Sequence, residues 1–538
     1  MQYKKILLAL VCLSSPLYAE HDQQLQHQIA QLQKEAQQLQ AQLDSLQKKM
    51  VSHQKKQSGT VHKKETKKQE PIPPKKQAKK HGQKHGDEPG NQQKMIKYHS
   101  SALTVHTPEE HPESVGFYPS ALVAEGRVVS YIAGTPVVAS PYLGDRPAFD
   151  GSDYIVNISS INRDVRLMQQ RRRLYRAYRN MGYPIPERPI IALSGKAEPV
   201  GMINSDYVGG TNVDLTLGSS ELDVAAALNQ NVEAYIAIAY DASPPEVGPR
   251  IDNSAFNLNM GFVNIGNLDK SPFYFTAGQV YVPFGRYSSS MISSPLTLDL
   301  ARTKTRPFIL GYKSQTDTGP FAATYIYRSD TNLGRSGVGG VNGGYVFAFN
   351  DLSGEIGASY ISSINDAAGM QSTAANPGNF GGFGSVLNGN ELVRKTQAVD
   401  IYGNMAYDRF NFAAEWVTAT QAFRTQDLSF NGHGAKPQAL QTEIDMTFKA
   451  FNRPASIGVG YQRTKDALAL NLPEHRFIGV FNISIWKDTV ESIEYRHEID
   501  YGANDFANGA APTGLVNTPT IGTGGSADTV SAQIGVYF

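Results

Sequence analysis

The sequence predicts an all-β transmembrane protein: a 16-stranded antiparallel outer-membrane β-barrel with an N-terminal α-helical coiled coil and a small helical segment before the barrel. Three observations predict it. The chain opens on an export-type segment, and from Glu20 onward no stretch of 18 apolar residues follows, so a mature chain that crosses a membrane must do so with strands closed on themselves. After Pro189 the sequence turns into short segments of period two, in which short turns alternate with long polar loops. The last such segment ends the chain on an aromatic residue, Phe538.

Residues 1–19 have the layout of a signal peptide. Lys4 and Lys5 precede the apolar run Ile6 to Leu13, and Leu17-Tyr18-Ala19 is cleavage-like. The single cysteine, Cys12, falls inside this segment, so a cleaved chain has no thiol, disulfide or cysteine metal site. Lipidation of Cys12 is the rival reading, but Val11 stands where a small residue is expected.

Residues 20–56 read as a coiled coil. Leu25, Ile29, Leu32, Ala36, Leu39, Leu43, Leu46 and Met50 alternate steps of four and three, which is a heptad seam. The seam favours self-association, with a homotrimer as the expected state and a lone packed helix as the alternative. Residues 57–99 read as a Lys-rich disordered tether. From Lys48 to Lys97 there are 15 lysines, six Lys-Lys doublets and four acids, with Pro71, Pro73 and Pro74 in the middle, a composition that buries no core. It is either a solvated linker or a grip on anionic cell wall or lipid. His81 and His85 lack further placed ligands for a metal.

Residues 100–189 form a pre-barrel segment. Tyr154 to Ile158 is strand-like; Ser159 or Ser160 is a candidate helix cap; Ile161, Val165, Met168, Tyr175 and Tyr178 then follow helical spacing until Pro184 and Pro186. Seven arginines lie on this helix: Arg163, Arg166, Arg171, Arg172, Arg173, Arg176 and Arg179. Two readings stay open, a plug whose guanidinium groups meet an acidic lumen and an anionic solute, and a periplasmic helix with a solvated basic face. The net charge of +1 supports docking in one respect, because it hides a division. Residues 1–189 carry 28 Lys+Arg against 17 Asp+Glu, whereas 190–538 carry 22 against 32. Arg171, Arg172, Arg173 and Arg176 are the candidate ligand-binding residues.

Residues 190–538 read as the transmembrane β-barrel. Strands are expected near 190–203, 220–228, 232–241, 255–264, 272–282, 306–314, 319–328, 343–350, 353–362, 396–407, 410–419, 437–448, 454–463, 475–484, 488–499 and 528–538. Val232, Ala234, Ile236, Ile238 and Tyr240 share one face against Glu233 and Tyr235; Leu440, Thr442, Ile444, Met446 and Phe448 oppose Glu443, Asp445 and Lys449; Phe410, Phe412, Ala414 and Trp416 oppose Glu415. Inward charge on many strands suits a wet lumen better than a sandwich core. Asn229-Gln230-Asn231, Tyr407-Asp408-Arg409 and Trp486-Lys487-Asp488 are short turns, and 283–305, 363–395 and 500–527 are long outer loops. The glycine-rich run Gly337 to Gly344 reads as loop. In the last strand Val530, Ala532, Ile534, Val536 and Phe538 alternate with Ser531, Gln533, Gly535 and Tyr537, so Tyr537 and Phe538 form a barrel assembly signal for the barrel-assembly machinery.

The run Gly151-Ser152-Asp153-Tyr154-Ile155-Val156-Asn157-Ile158-Ser159-Ser160-Ile161-Asn162 follows a Gln-rich coiled coil and precedes a barrel carrying Gly278-Gln279-Val280-Tyr281-Val282-Pro283-Phe284-Gly285. In these features the chain resembles the LbtU-type siderophore porins along its whole length. The resemblance implies uptake of a ferric siderophore of polycarboxylate type, without the large plug of energy-coupled receptors, and iron only as the siderophore complex rather than as a cofactor. The expected place is the outer membrane of a Gram-negative bacterium, with the N-terminal arm in the periplasm and outer-membrane lipids around the barrel.

No nucleophile elbow, HExxH, P-loop or paired metal motif occurs, and no nucleic-acid partner or enzymatic activity is expected. Three functions compete: uptake of a ferric siderophore, a general or anion-type diffusion porin, and a structural anchor to the cell wall.

Overall fold

The computed structural model describes residues 123–124, 127–128, 131–132, 135–139, 161–180, 189–241, 255–316, 318–329, 337–349, 352–371, 380, 382–383, 393–486, 489–511 and 516–537. In the helix of 161–180 the side chains described are those of 161–169, 171, 172 and 175. The signal segment, the coiled-coil seam, the tether, the strand-like run at 154–158, the candidate caps Ser159 and Ser160, the side chains of Arg173 and Arg176, and Phe538 all lie outside the described residues.

Helix α1, Arg163–Asn180, is followed by a closed barrel. Its strands are β1 in two pieces (Ile190–Ala197 and Val200–Ser205) and β2 in two pieces (Thr211–Thr216 and Glu221–Ala227). Next come β3 (Val232–Asp241), β4 (Ala255–Gly266), β5 (Phe273–Tyr281), β6 (Phe308–Lys313), β7 (Gly319–Arg328) and β8 (Gly337–Phe349). After these run β9 (Leu352–Ile361), β10 (Ala398–Tyr407), β11 (Phe410–Ala419) and β12 (Gln438–Ala450). The last four are β13 (Arg453–Lys465), β14 (His475–Ile483), β15 (Thr489–Ile499) and β16 (Ser526–Tyr537). Sixteen strands, each antiparallel to its neighbours, therefore form the wall, and every one overlaps its expected position. β16 closes the ring on β1, with Thr529 opposite Asn204 and Tyr537 opposite Lys196. Where β16 ends, a short strand at Thr135–Ala139 takes over the same edge of β1 in parallel, Val137 opposite Ile191. It covers an edge that would otherwise offer unpaired backbone groups.

The alternation follows the sequence. Ile236, Val263, Phe308, Leu310, Ile326, Ile356, Ile401, Trp416, Ile444, Val459, Phe477, Ile493, Val530 and Ile534 are exposed on the outside. Glu233, Tyr235, Asn264, Thr276, Glu415, Glu443, Gln462 and Glu494 are buried on the inside. An apolar exterior over a polar interior has its low-energy solution in a bilayer. The short turns are built locally: Asn229 accepts bonds on Oδ1 from the amides of Asn231 (2.8 Å) and Val232 (3.0 Å), and Asp408 sits at φ 51°.

One expectation is corrected. Gly337 to Gly344 is strand, not loop: it forms most of β8 and pairs in register with β7, Tyr325 opposite Gly340 and Phe321 opposite Gly344. A Cβ at Gly340 would overlap the Tyr325 hydroxyl, and one at Gly344 the Phe321 ring. The glycines make room for inward-lying aromatic side chains, which is why strand residues of low propensity persist here.

The loops at the end away from the short turns build a small sheet of their own. Leu428–Phe430, His433–Gly434, Phe506–Gly509 and Thr520–Ile521 form a four-stranded sheet. Beside it lies an aromatic cluster, Phe380 to Phe383 at 5.1 Å, Phe383 to Phe423 at 5.7 Å and Phe430 to Tyr501 at 5.5 Å between ring centres. Thus 363–395 and 500–527 connect strands at the end away from the short turns, and their described parts are packed rather than merely solvated.

Candidate functional site in the lumen

The site begins where β5 leaves the wall. At Gly278 the backbone takes φ +136°, and a Cβ there would overlap the carbonyl of Gly261, so this position needs glycine. Pairing of β5 with β4 ends at Gln279 opposite Gly261, while on its other edge Val280–Tyr281 pair with Lys304–Thr305 in the register that β5 keeps with β6. Between them the chain from Val282 to Thr303 enters the barrel. Val282, Phe284, Tyr287, Leu296, Leu300 and Ala301 are fully buried there. This corrects the expectation of an outer loop at 283–305.

The wall holds this segment through carboxylates at a regular interval. Glu415 of β11 accepts from the amides of Arg286 (2.6 Å) and Tyr287 (2.7 Å). Glu443 of β12 accepts from the Ser289 hydroxyl (2.8 Å) and the Ser290 amide (2.6 Å). Glu494 of β15 accepts from the amides of Ile292 (2.5 Å) and Ser293 (3.0 Å). Three adjacent donor pairs, each three residues after the last, thus meet three inward glutamates. Arg286 adds an ion pair to Glu355 at 2.5 Å, and the Gly285 amide donates to Ser359 at 2.9 Å. A short helix, α2 (Leu296–Ala301), continues the path, its Leu296 amide on Gln462 and its Thr297 hydroxyl on Gln441, both at 2.9 Å. The inward charge that suggested a wet lumen is here largely satisfied by this chain segment, since a buried carboxylate is costly unless donors surround it. The signal available in the sequence was the serine-rich run Ser288, Ser289, Ser290, Ser293 and Ser294 beside an apolar LTLDLA stretch, an odd text for a solvated loop.

Helix α1 lies against the inner wall on the other side. Arg163, 1% exposed, donates to Glu221 at 2.6 Å and to the Tyr235 hydroxyl at 2.5 Å, and stands 3.7 Å from Asp223. Asp164 accepts from Thr276 at 3.0 Å, and its carbonyl accepts from Asn264 at 3.0 Å. Ile161 and Leu167 join the barrel's interior apolar cluster, and Met168 packs on Leu268 and Tyr274. Of the four arginines singled out as ligand-binding candidates, Arg171 donates to the Gly266 carbonyl at 2.6 Å and lies 3.6 Å from Glu233, and Arg172 donates to the Gln315 carbonyl at 2.9 Å. The crevice they border is about 10 Å³, room for a water and no solute.

A larger cavity, about 340 Å³, lies between the inward segment and the wall of β1 to β5, bordered by Arg163, Lys196, Glu221, Asn259, Tyr281, Ser294 and Arg302. Among the described side chains of α1, Arg163 alone borders it. In α2, burial pushes the Asp299 carboxyl up to about 6, although Arg476 and Arg302 draw it down. Its charge is therefore present at neutral pH and leaves as pH falls through about 6.

The buried Arg163 pair makes one prediction. Arg163→Ala removes from Glu221 and Asp223 the cation that stands nearest them, a loss of about 3–5 kcal/mol for a broken buried pair. Hydrogen exchange over 163–180 should then speed up while the barrel strands keep their protection. Unchanged exchange in the helix would show that α1 is held without this pair.

An even-numbered antiparallel barrel with an apolar exterior, a polar interior and a chain segment laced across its lumen is a porin-like outer-membrane barrel. No family model matches the chain. It is 70% identical to a UPF0422 protein of Legionella pneumophila subsp. pneumophila (strain Philadelphia 1) across 100% of both chains, and 39% identical to a UPF0422 protein of Coxiella burnetii over 74% of this chain and 83% of that relative. The chain belongs to the UPF0422 family. Among solved structures it is similar to the anion-selective porin from Comamonas acidovorans (12% identity, 65% of this chain and 100% of that one, TM-score 0.41) and to the outer membrane channel DcaP of Acinetobacter baumannii (11%, 66% and 99%, TM-score 0.42).

Proposed function

We propose that the protein is an outer-membrane channel that admits a small solute through the space between the inward segment and the wall of β1 to β5. The observation that carries this reading is the lacing of 285–297 onto Ser359, Glu355, Glu415, Gln441, Glu443, Gln462 and Glu494, which narrows a sixteen-stranded lumen to a defined cavity. A structural anchor has no use for a lumen shaped in this way.

The finer reading is uptake of a ferric polycarboxylate siderophore. The resemblance to LbtU-type siderophore porins supports it, and its second motif, Gly278 to Gly285, spans the point where the chain leaves β5 for the lumen. In this reading Arg171 and Arg172 fasten α1 to the wall, and the cations that meet solute are those around the larger cavity. Iron is cargo. The test is uptake of radio-iron as ferric citrate by an outer-membrane-competent host that makes the chain: uptake above that of the empty host is expected. An assembled barrel with no such uptake would leave the channel standing and remove the siderophore.

A further inference from the structure

The outward row of β6 changes character at one end. Leu310, Phe308, Arg306 and Lys304 are exposed while Ile309, Pro307, Thr305 and Thr303 between them are buried, so two cations continue the row of lipid-facing apolar residues. The same happens on β7, where Ala322, Thr324 and Ile326 are exposed on the row that ends at exposed Arg328. Phe308 stands opposite Ile326, and this register carried two residues further sets Arg306 opposite Arg328. Both rows end away from the short turn that joins β6 to β7, which in an outer-membrane barrel is the outer side.

The level of these cations follows from strand geometry. Tyr312, packed against Phe273 with 5.4 Å between ring centres, marks the other border in the manner of an aromatic girdle. From Tyr312 to Lys304 the chain covers about 27 Å of strand, or roughly 20 Å along the membrane normal at the usual tilt, against an apolar band about 25 Å tall. The cations therefore stand at the upper edge of the band, where a long side chain lays its stem on acyl chains and its charge among headgroups. The partners that Lys304 and Arg306 have within the chain are neutral. Arg306 donates through Nε to the Gln279 amide oxygen at 3.3 Å, which leaves both terminal nitrogens of its fork unbonded, and Lys304 donates to the Asn259 amide oxygen at 3.0 Å. Arg463, exposed near the same end of β13, is by contrast answered by Glu474 at 3.5 Å. Like charges directly opposite on neighbouring strands repel, and an anion lying between them removes the cost.

We infer that Lys304 and Arg306, flanked by Arg328, form a binding face for a phosphate-bearing lipid of the outer leaflet, whose acyl chains lie along Phe308, Leu310 and Ile326. The Arg306 fork can hold a phosphate group through two bonds, and Lys304 adds a point charge beside it. The occupant is a lipid because the cations continue an apolar row: one molecule that covers both carries chains and an anionic headgroup together. Lys304 follows directly on the segment that enters the lumen, so the lipid sits at the root of that segment, yet the face is outside the wall and stands whether or not solute passes.

The test is native mass spectrometry of the full chain refolded in detergent and titrated with diphosphoryl lipid A, with phosphatidylcholine as the lipid of no net charge and inorganic phosphate as a competitor. The expected result is lipid A binding that weakens at least fivefold in Lys304→Gln/Arg306→Gln, is unchanged in Arg463→Gln and withstands inorganic phosphate in excess. Equal affinity of the double variant and the unaltered chain, no retention of lipid A, equal retention of phosphatidylcholine, or an equal loss in Arg463→Gln overturns the face. Displacement by inorganic phosphate would make it a site for a free anion, and an oligomer that needs Lys304 and Arg306 but no lipid would assign it to a second copy; either result overturns the lipid. Assembly is checked by the heat-dependent gel shift, and should the double variant not assemble, Arg306→Gln alone is read by the same criterion.

Discussion

Replacing Glu415, Glu443 and Glu494 together by alanine should raise the single-channel conductance several-fold while leaving the barrel assembled. These side chains accept six bonds from consecutive donors at 286–287, 289–290 and 292–293. A hydrogen bond to a charged group contributes about 1.5–3 kcal/mol, so the triple change removes most of what ties the segment down. The wall does not depend on them, since its strands pair through backbone groups. The freed amides regain water once the segment lifts, which makes lifting the favourable response to their loss. Conductance equal to that of the unaltered protein would show that the ties left in place, Arg286 on Glu355, Gly285 on Ser359, Leu296 on Gln462 and the packing of Phe284, Leu296 and Leu300, hold the segment by themselves.

Tyr537→Asp should abolish barrel closure. Tyr537, 2% exposed, pairs with Lys196 across the seam of the ring and donates its hydroxyl to Glu198 at 2.8 Å. Glu198 is itself buried and also meets Lys196 at 2.9 Å. Aspartate would set a second carboxylate against Glu198 in a dry place, where like charges do not both ionise at small cost. Tyr537→Phe, which only loses the bond to a charged acceptor, should cost about 1.5–3 kcal/mol and still assemble. Deletion of Phe538 should impair assembly through loss of the aromatic end. The heat-dependent shift on gels reports all three, and a normal shift for Tyr537→Asp would mean that the seam closes without this contact.

The wall was legible because each strand repeats the same local rule. A lipid-facing Ile, Phe or Val at every second position, as in Phe410, Phe412 and Trp416, records both the strand and its inward side without reference to any distant residue. The inward segment was not legible as such, since the bonds that place it join residues 69 to 202 positions apart and most of them run from backbone amides, which leave no trace in composition. The same limit applied to α1. Helical spacing found it, but the Gly266 carbonyl that Arg171 meets lies 95 residues further along the chain. Lys196, Glu221 and Arg302 escaped notice because each is unremarkable in its own stretch and they border one cavity only when the barrel closes.

The most direct measurement places a single cysteine in the proposed passage. The chain's one cysteine, Cys12, is in the segment expected to be cleaved, so Ser294→Cys, which borders the cavity, would carry the only thiol of the mature protein. In a planar bilayer, a charged thiol reagent added to an open channel should lower its current in a discrete step, and the same reagent should leave the current unchanged when the cysteine is at lipid-facing Ile326. Labelling of Ser294→Cys with no change in current, or the absence of any current through assembled protein, would contradict a solute route between the inward segment and the wall.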